Sequence, residues 1–402
     1  MTRSERLPVL LLGGYRQAPA VARSLARAGY RVIVGVGPHG NPAARSRFAG
    51  ELWHHTDVGD VDFIDGLRDF AASHDRLAVF PLGDSELLAL SQPDSELPPE
   101  LLPIMPASET VRTCLDKSAA QDFMTSVGVS PPETRTVRSL EELGAALAGV
   151  GVPAVIKPDT SLATIAGNKA LICSTVEEAR TAMPEWPAGA SYLLVQEYVR
   201  GRRHNCHLVA ESGSITARFE QVIVRTDRLD GTGLCVEARS GVPTEELWEL
   251  CRRITEGAGY TGAACIQFLM GEEGQGIRCL EVNPRMCASC AFPVHCGVDM
   301  PLATLEAALR ARGWVVDRAG STSGYRRGET MNWLLGDITG VIEQRGAMSG
   351  RDRIRAVSRV FGSAARADVH VTWSWTDPVP TLVMFRGLLR RVGSAVLGRF
   401  RR

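Results

Sequence analysis

The stretch C-L-E-V-N-P-R-M, Cys279–Met286, sets an acid, an amide and a guanidinium at every second position. Side chains of an extended strand alternate between faces, so Glu281, Asn283 and Arg285 would share one face, with Leu280 and Val282 on the other. A solvated edge has little use for that mixture. A divalent cation beside an anionic substrate does: hard ions such as Mg2+ take carboxylate and amide oxygens together with phosphates, and a guanidinium grips an anionic group bidentately. The runs A-A-C-I-Q-F-L-M (263–270) and I-R-C-L-E-V-N (277–283) flank a polar, glycine-rich G-E-E-G-Q-G, which reads as an antiparallel hairpin. With about five residues in the loop, Gln267 would fall opposite Glu281, although the sequence leaves that register open.

Two lysines extend the pattern. Lys157 closes the strand V-P-A-V-I-K-P (152–158), a place suited to a phosphate contact. Lys117 opens the helical segment D-K-S-A-A-Q-D-F-M-T-S-V-G-V (116–129), with Asp116 and Ser118 as start signals and Gly128 as a stop. Backbone N–H groups at a helix start favour anions. Cys287, Cys290 and Cys296 form C-x2-C-x5-C with His295 alongside, a zinc-like spacing that lacks its usual second C-x2-C. The small apolar residues around it favour core or pocket lining instead.

The elements that must position these residues follow from periodicity. V-L-L-L-G-G-Y (9–15), a helical pattern through Val21, Leu25 and Ala28, and R-V-I-V-G-V (31–36) make a βαβ unit with a parallel sheet. Its turn is G-G-x-x-x-A-P, so a structural Rossmann-like layer is expected rather than a dinucleotide site. A-V-F-P-L-G (78–83) adds a strand, with a helix around Ser85–Leu90, and the Pro- and acid-rich 91–103 reads as a connection. L-L-V-Q-E-Y-V (193–199) is a strand, alternation resumes in R-G-R-R-H-N-C-H-L-V-A, and 245–255 is an amphipathic helix.

The 402 residues suggest two or three domains, and 45% hydrophobic with 22% charged residues is ordinary for a globular protein. Lys plus Arg (45) balances Asp plus Glu (45), which argues against nucleic acid as the partner. Ten scattered cysteines fit reduced thiols. M-T-R-S-E-R-L-P lacks the apolar core of a leader, and no stretch reaches the roughly 18–20 apolar residues of a membrane span, so a cytoplasmic protein is expected. The last segment carries Leu388, Leu389, Val392, Val396 and Phe400 at helical spacing among Arg386, Arg390, Arg391, Arg399, Arg401 and Arg402. Such a tail packs on its own protein or touches an anionic membrane surface.

In order, D-K (116–117), V-G-V-S-P-P-E-T, V-I-K-P, V-Q-E-Y-V-R-G, I-Q-F and L-E-V-N-P-R resemble the motifs of the ATP-grasp superfamily over roughly residues 104–312. I-Q-F with E-V-N-P-R is especially similar to the synthetase domains of carbamoyl phosphate synthase. The resemblance implies a mixed α/β and α+β architecture. A Rossmann-like pre-ATP-grasp domain would span 1–103, a two-lobed ATP-grasp domain 104–312 (lobe A about 104–192, lobe B about 193–312), and a C-terminal α/β extension 313–402. ATP would lie between the lobes, with Lys117 and Lys157 on its phosphates. Gln196, Glu197, Tyr198 and Val199 would form the hinge strand meeting adenine, Glu197 being a nucleotide contact. Gln267, Glu281 and Asn283 would bind Mg2+ (or Mn2+), and Arg285, with Lys157, would stabilise the transferred phosphoryl group. The implied activity is a carboxylate–amine ligase for small molecules, working through an acyl phosphate, in a homodimer. A bicarbonate-activating enzyme and a non-catalytic nucleotide binder are the alternatives.

Two departures stand out. The phosphate-covering loop, D-T-S-L-A-T-I-A-G-N-K-A, has a single glycine, Gly167, leaving Thr160, Ser161, Thr164 and Asn168 as side-chain donors. Where relatives carry an acid after the hinge glycine, this chain has Arg202, Arg203 and His204. These would face phosphate, an acidic substrate or solvent; His204 is counted among the nucleotide contacts.

Overall fold

A computed structural model describes residues 7–400 apart from 94–96, 161–162, 273–274, 317–323 and 347, with side chains through residue 390. Five parallel strands, Val9–Leu12 (β1), Val32–Val36 (β2), Glu51–His54 (β3), Leu77–Pro81 (β4) and Leu101–Pro103 (β5), are ordered β3-β2-β1-β4-β5. Every β1 side chain is buried: Val9 and Leu11 join a core that includes helix Ala18–Arg27, while Leu10 and Leu12 join one that includes helix Phe63–Ala72. A strand apolar on both faces is what a parallel sheet covered on both sides requires. Gly13 and Gly14, after β1, have φ of +68° and +76°. A Cβ on Gly13 would lie 2.3 Å from the Glu86 carboxyl carbon, so this turn closes on a carboxylate and offers no phosphate cradle. The segment read as a pure connection contains β5; its residues 94–96 lie outside the described residues.

A smaller antiparallel sheet follows: Thr134–Val137 (β6), Ala154–Pro158 (β7), Leu171–Cys173 (β8) and Leu193–Glu197 (β9), in the order β6-β9-β7-β8. It has its own core, Ile156, Leu193 and Val195 against Leu143, Leu147 and Ala179.

The third sheet comprises Gly201–Glu211 (β10), Ser214–Thr226 (β11), Cys235–Ser240 (β12), Gly262–Gly271 (β13), Ile277–Asn283 (β14), Thr330–Asn332 (β15) and Val369–His370 (β16), ordered β14-β13-β10-β11-β12-β15-β16. On β10 and β13 the even-numbered Cys206, Leu208, Ala210, Ala264, Ile266 and Phe268 form a core with Leu247, Trp248, Cys251 and Ile254 of helix Glu245–Gly257. Burying a large apolar side chain contributes about 1.5–3 kcal/mol, so this row fixes which face of the sheet is covered and leaves the odd-numbered positions for the other.

The C-terminal residues complete the edge of that sheet, β15 pairing with β12 and β16 with β15. Nearly buried Asp377 ties this region to the first sheet's layer, accepting hydrogen bonds from Ser46 Oγ (2.7 Å) and the Arg47 amide (3.1 Å) and pairing with Arg23 (3.4 Å). In the last helix, Val379–Phe400, Met384 and Leu388 pack with Leu335, while Leu389 is 69% exposed. The tail side chains Arg391, Val392, Val396, Arg399, Phe400, Arg401 and Arg402 lie outside the described residues. Among those described, no helix is long and apolar enough to cross a membrane.

Candidate active site

The three sheets surround a cavity of about 490 Å3. One end is an apolar slot between Val155 and Ile172 of the smaller sheet and Leu269 and Leu280 of the larger one. Beside it runs the hinge segment Gln196, Glu197, Tyr198 and Val199, which carries the chain from β9 to β10. Gln196 spends its amide on Thr134 Oγ1 (2.9 Å). Glu197 Oε1 accepts from Arg278 Nε (2.7 Å) and the Glu133 amide (3.1 Å).

The other end is polar. The register places Gln267 directly opposite Glu281 and Asn205 opposite both Gln267 and Gln221. One row across four strands therefore reads Gln221–Asn205–Gln267–Glu281; Gln267 meets Glu281 as expected, but through a register shift between Gln267 and Phe268 rather than through loop length alone. Asn283 stands opposite Cys265 and donates from Nδ2 to Glu281 Oε1 (2.8 Å). Arg285 Nη2 lies 3.4 Å from Asn283 Oδ1, and its Nε is 2.5 Å from Asp84 Oδ1, at the start of helix Asp84–Ser91. Burial pushes the Arg285 guanidinium down, but hydrogen bonding and charge from Asp84 outweigh it, so the net shift is upward. A carboxylate 201 residues distant thus holds the arginine in place.

Lys117 and Lys157 line the cavity facing this row. Asp116 caps the Lys117 helix, accepting from the Ser118 and Ala119 amides. Lys117 Nζ donates to the Pro158 carbonyl, and burial, then the charge of Lys157, lowers its pKa to about 8. Burial also lowers Lys157, partly offset by Glu281. Neither lysine pairs with a carboxylate within 4.0 Å among the described residues, an arrangement that favours an anionic ligand. The donors opposite are a carboxylate and two amide groups, whose oxygens fit a hard cation such as Mg2+.

Two expectations change. His204 does not reach the cavity. Strand alternation places Arg203 and Asn205 on its wall and turns His204 to the covered face, where it is 6% exposed with Nδ1 2.9 Å from Glu220 Oε1. Leu280 does not sit behind Glu281. The ladder pairs Cys279 with Phe268 and Glu281 with Gln267, so Leu280 is the extra residue of a bulge. Bulges re-aim side chains, and Leu280 lines the cavity beside Glu281, leaving Cys279 and Val282 in the core.

The C-x2-C-x5-C residues do not assemble either. Cys290 Sγ donates to the Gln17 carbonyl at 3.8 Å, Cys296 packs in the core, and His295 pairs with Glu329 (3.0 Å). In the glycine-poor loop, Ile165 and Asn168 exchange two hydrogen bonds of 2.8 Å around Ala166 and Gly167, with φ of +48° and +77°. This tight turn leaves a non-glycine residue in left-handed backbone. Thr160 lines the main cavity; Ser161 is outside the described residues.

Other lining residues carry no motif. Arg16 stacks 3.8 Å from the centroid of the Trp333 ring, and its buried guanidinium is pushed down in pKa. Arg203 Nε and Asn205 Oδ1 are buried without a partner among the described residues. A second cavity of about 330 Å3, lined by Asp227, Trp333 and Leu335 among others, adjoins through Lys169, Thr232, Gly233 and Leu234, which line both. The strand parity of β10 could have found Asn205 and Arg203; nothing local marks Arg16 or Asp84.

The two β lobes, their hinge strand and the Rossmann-like layer before them define the ATP-grasp fold. The N5-carboxyaminoimidazole ribonucleotide synthetase–ADP complex superposes with a TM-score of 0.65 at 16% identity, covering 86% of this chain and 87% of that one. The biotin carboxylase domain of Hydrogenobacter thermophilus 2-oxoglutarate carboxylase, solved with MgADP, ADP and bicarbonate, gives 0.61 at 17% identity, covering 80% and 73%. Residues 190–326 match the family described as ATP-grasp in the biosynthetic pathway with Ter operon. The Pasteurella multocida carbamoyl phosphate synthase large chain is 27% identical over 240 residues, 56% of this chain; the chain spans about a fifth of that relative's length. Residues 190–326 thus match an ATP-grasp family, and the chain as a whole shares the fold of ATP-grasp enzymes.

Proposed function

We propose that the chain is an ATP-dependent carboxylate–amine ligase that joins two small molecules through an acyl phosphate. The observation that carries this reading is the row of Gln267, Glu281 and Asn283 facing two lysines without a carboxylate within 4.0 Å among the described residues, at the polar end of a cavity whose other end is an apolar slot. The slot suits a flat purine, with Tyr198 and Val199 as hinge contacts, and the lysines suit the phosphates. Gln267, Glu281 and Asn283 would hold Mg2+, which neutralises the phosphate charge as the phosphoryl group moves.

In the first step a carboxylate oxygen bonds to the γ-phosphorus, the bond from that phosphorus to the β–γ bridging oxygen breaks, and ADP leaves with the electron pair. Lys157 and Arg285 stabilise the charge developing there; Arg285 arrives oriented by Asp84. In the second step the amine nitrogen bonds to the acyl carbon, phosphate leaves, and the nitrogen loses a proton. Arg16, Arg203 and Asn205 give the acid a cationic, hydrogen-bonding end of the cavity, and the adjoining 330 Å3 cavity gives the amine room.

Bicarbonate as the acid is the second reading, motivated by the neighbour solved with that anion. The test is ADP release with Mg2+ and pooled acids and amines, a bicarbonate arm run alone, and mass spectrometry of the products. A condensed product formed only with both an acid and an amine supports the ligase. ADP release with bicarbonate alone selects the second reading. Tight ATP binding with no turnover on any acid overturns both.

A further inference from the structure

The sequence places a zinc-like spacing on Cys287, Cys290 and Cys296, and the fold takes only the first of these to a ligand cluster. His207 on β10 stands directly opposite Cys265 on β13, both on the cavity side of the sheet. Cys287, beyond the end of β14, brings a second thiol, and the ligand atoms of all three residues lie within 4.8 Å of one another. The cysteines form no disulfide. Cys265 and Cys287 line the cavity wall, so an ion has a way in.

The surroundings orient these groups as metal ligands are oriented. Gln221 Oε1 can only accept, and it lies 3.2 Å from His207 Nε2. His207 therefore donates from Nε2, which leaves the Nδ1 lone pair for the cluster. A ligating histidine whose other nitrogen is tied to a carbonyl oxygen is the usual outer-shell arrangement. Ser289 donates to the same Gln221 oxygen (2.9 Å) and lies 3.3 Å from Cys287 Sγ.

We propose that His207, Cys265 and Cys287 form a second metal site, for Zn2+ or a similarly soft divalent ion, with its fourth coordination position open to the cavity. Two thiols and an imidazole select such an ion, while the neighbouring carboxylate and amide oxygens select a hard one. Two metals of different character would then stand side by side. Three protein ligands with an open position is the pattern of a zinc ion that binds a substrate atom rather than one that only holds a fold. Binding displaces the two thiol protons to solvent as the S–metal bonds form. The site does not depend on ligase activity.

The test uses the full-length chain, stripped with chelator, under reducing conditions and without nucleotide. Cd2+ is titrated while its thiolate charge-transfer absorption is followed, and Zn2+ affinity is measured by competition with a chromophoric chelator. The expected result is one equivalent per chain. It is lost in Cys265→Ser and Cys287→Ser, kept in Cys290→Ser, and weakened roughly 10–100-fold in Gln221→Leu. Circular dichroism confirms that each variant is folded, and near-isosteric serine keeps that requirement modest. No stoichiometric uptake by the wild type overturns the site, as does uptake that survives the Cys265→Ser/Cys287→Ser double variant. Intact-mass evidence that the two cysteines instead form a disulfide in the protein as isolated also overturns it.

Discussion

Glu220 and Asn205 lie on neighbouring strands of one sheet and face opposite ways. Glu220 is completely buried and fully engaged: it accepts from the Thr244 amide (2.7 Å), Thr244 Oγ1 (2.8 Å) and Trp248 Nε1 (3.1 Å), and it pairs with His204. Burial raises its pKa, but the hydrogen bonds from His204 and Thr244 outweigh that and hold it below the usual range. Asn205 Oδ1, one residue from the strand's core row, is buried with nothing to accept from among the described residues. An unmet buried polar group costs about 1–3 kcal/mol. The protein avoids that cost on the helix-covered face and carries it on the cavity face, together with two lysines that have no carboxylate within 4.0 Å among the described residues. The covered face is built to fold; the cavity face is left for a ligand to complete.

The largest test of that contrast is Glu281→Ala. Its side chain is exposed, so the melting temperature should hardly move, while ADP release falls by about a thousandfold, roughly 4 kcal/mol of transition-state stabilisation. Unchanged turnover would erase the distinction between the faces. Glu220→Ala should do the reverse: denaturant unfolding should show a loss of about 3 kcal/mol, since breaking a buried pair strands its partner, with the ATP dissociation constant of the remaining folded protein nearly unchanged. Arg16→Ala should raise the KM for the acid about 30-fold, the worth of a charged hydrogen bond near 2 kcal/mol, with a partial return in Arg16→Lys.

A smaller effect follows from Lys117. Its pKa near 8 means the binding-competent cation is present below that pH and lost above it. ATP affinity, measured by fluorescence titration, should therefore fall about tenfold between pH 7 and pH 9, and a Lys117→Met variant should show a flat profile. Smallest is His204→Asn. It should cost about 1 kcal/mol of stability and leave ATP affinity within about twofold; a large affinity loss would mean the histidine works on the cavity side after all.

Much of this contrast could be read in the chain before folding. The acid–amide–guanidinium row and the Asp116-capped lysine helix are local patterns, governed by strand alternation and helix capping, whereas the Gln267–Glu281 pairing also needs the bulge at Leu280. His204 was also legible: Cys206, Leu208 and Ala210 share its parity, and an apolar row at even positions puts His204 on the core face. Leu280 was not, because a bulge breaks the period of two on which such reasoning depends. Arg16 and Asp84 were hidden for another reason. Each acts across the fold, Arg16 against Trp333 and Asp84 on Arg285, and no local signal spans such separations.

The most direct measurement is isothermal titration of ATP into the protein with and without Mg2+, repeated on Glu281→Ala/Asn283→Ala. The account predicts one nucleotide per chain when Mg2+ is present, and binding at least tenfold weaker in the double variant or without the ion. No heat of nucleotide uptake with Mg2+, or equal affinity in the wild type and the double variant, would contradict it.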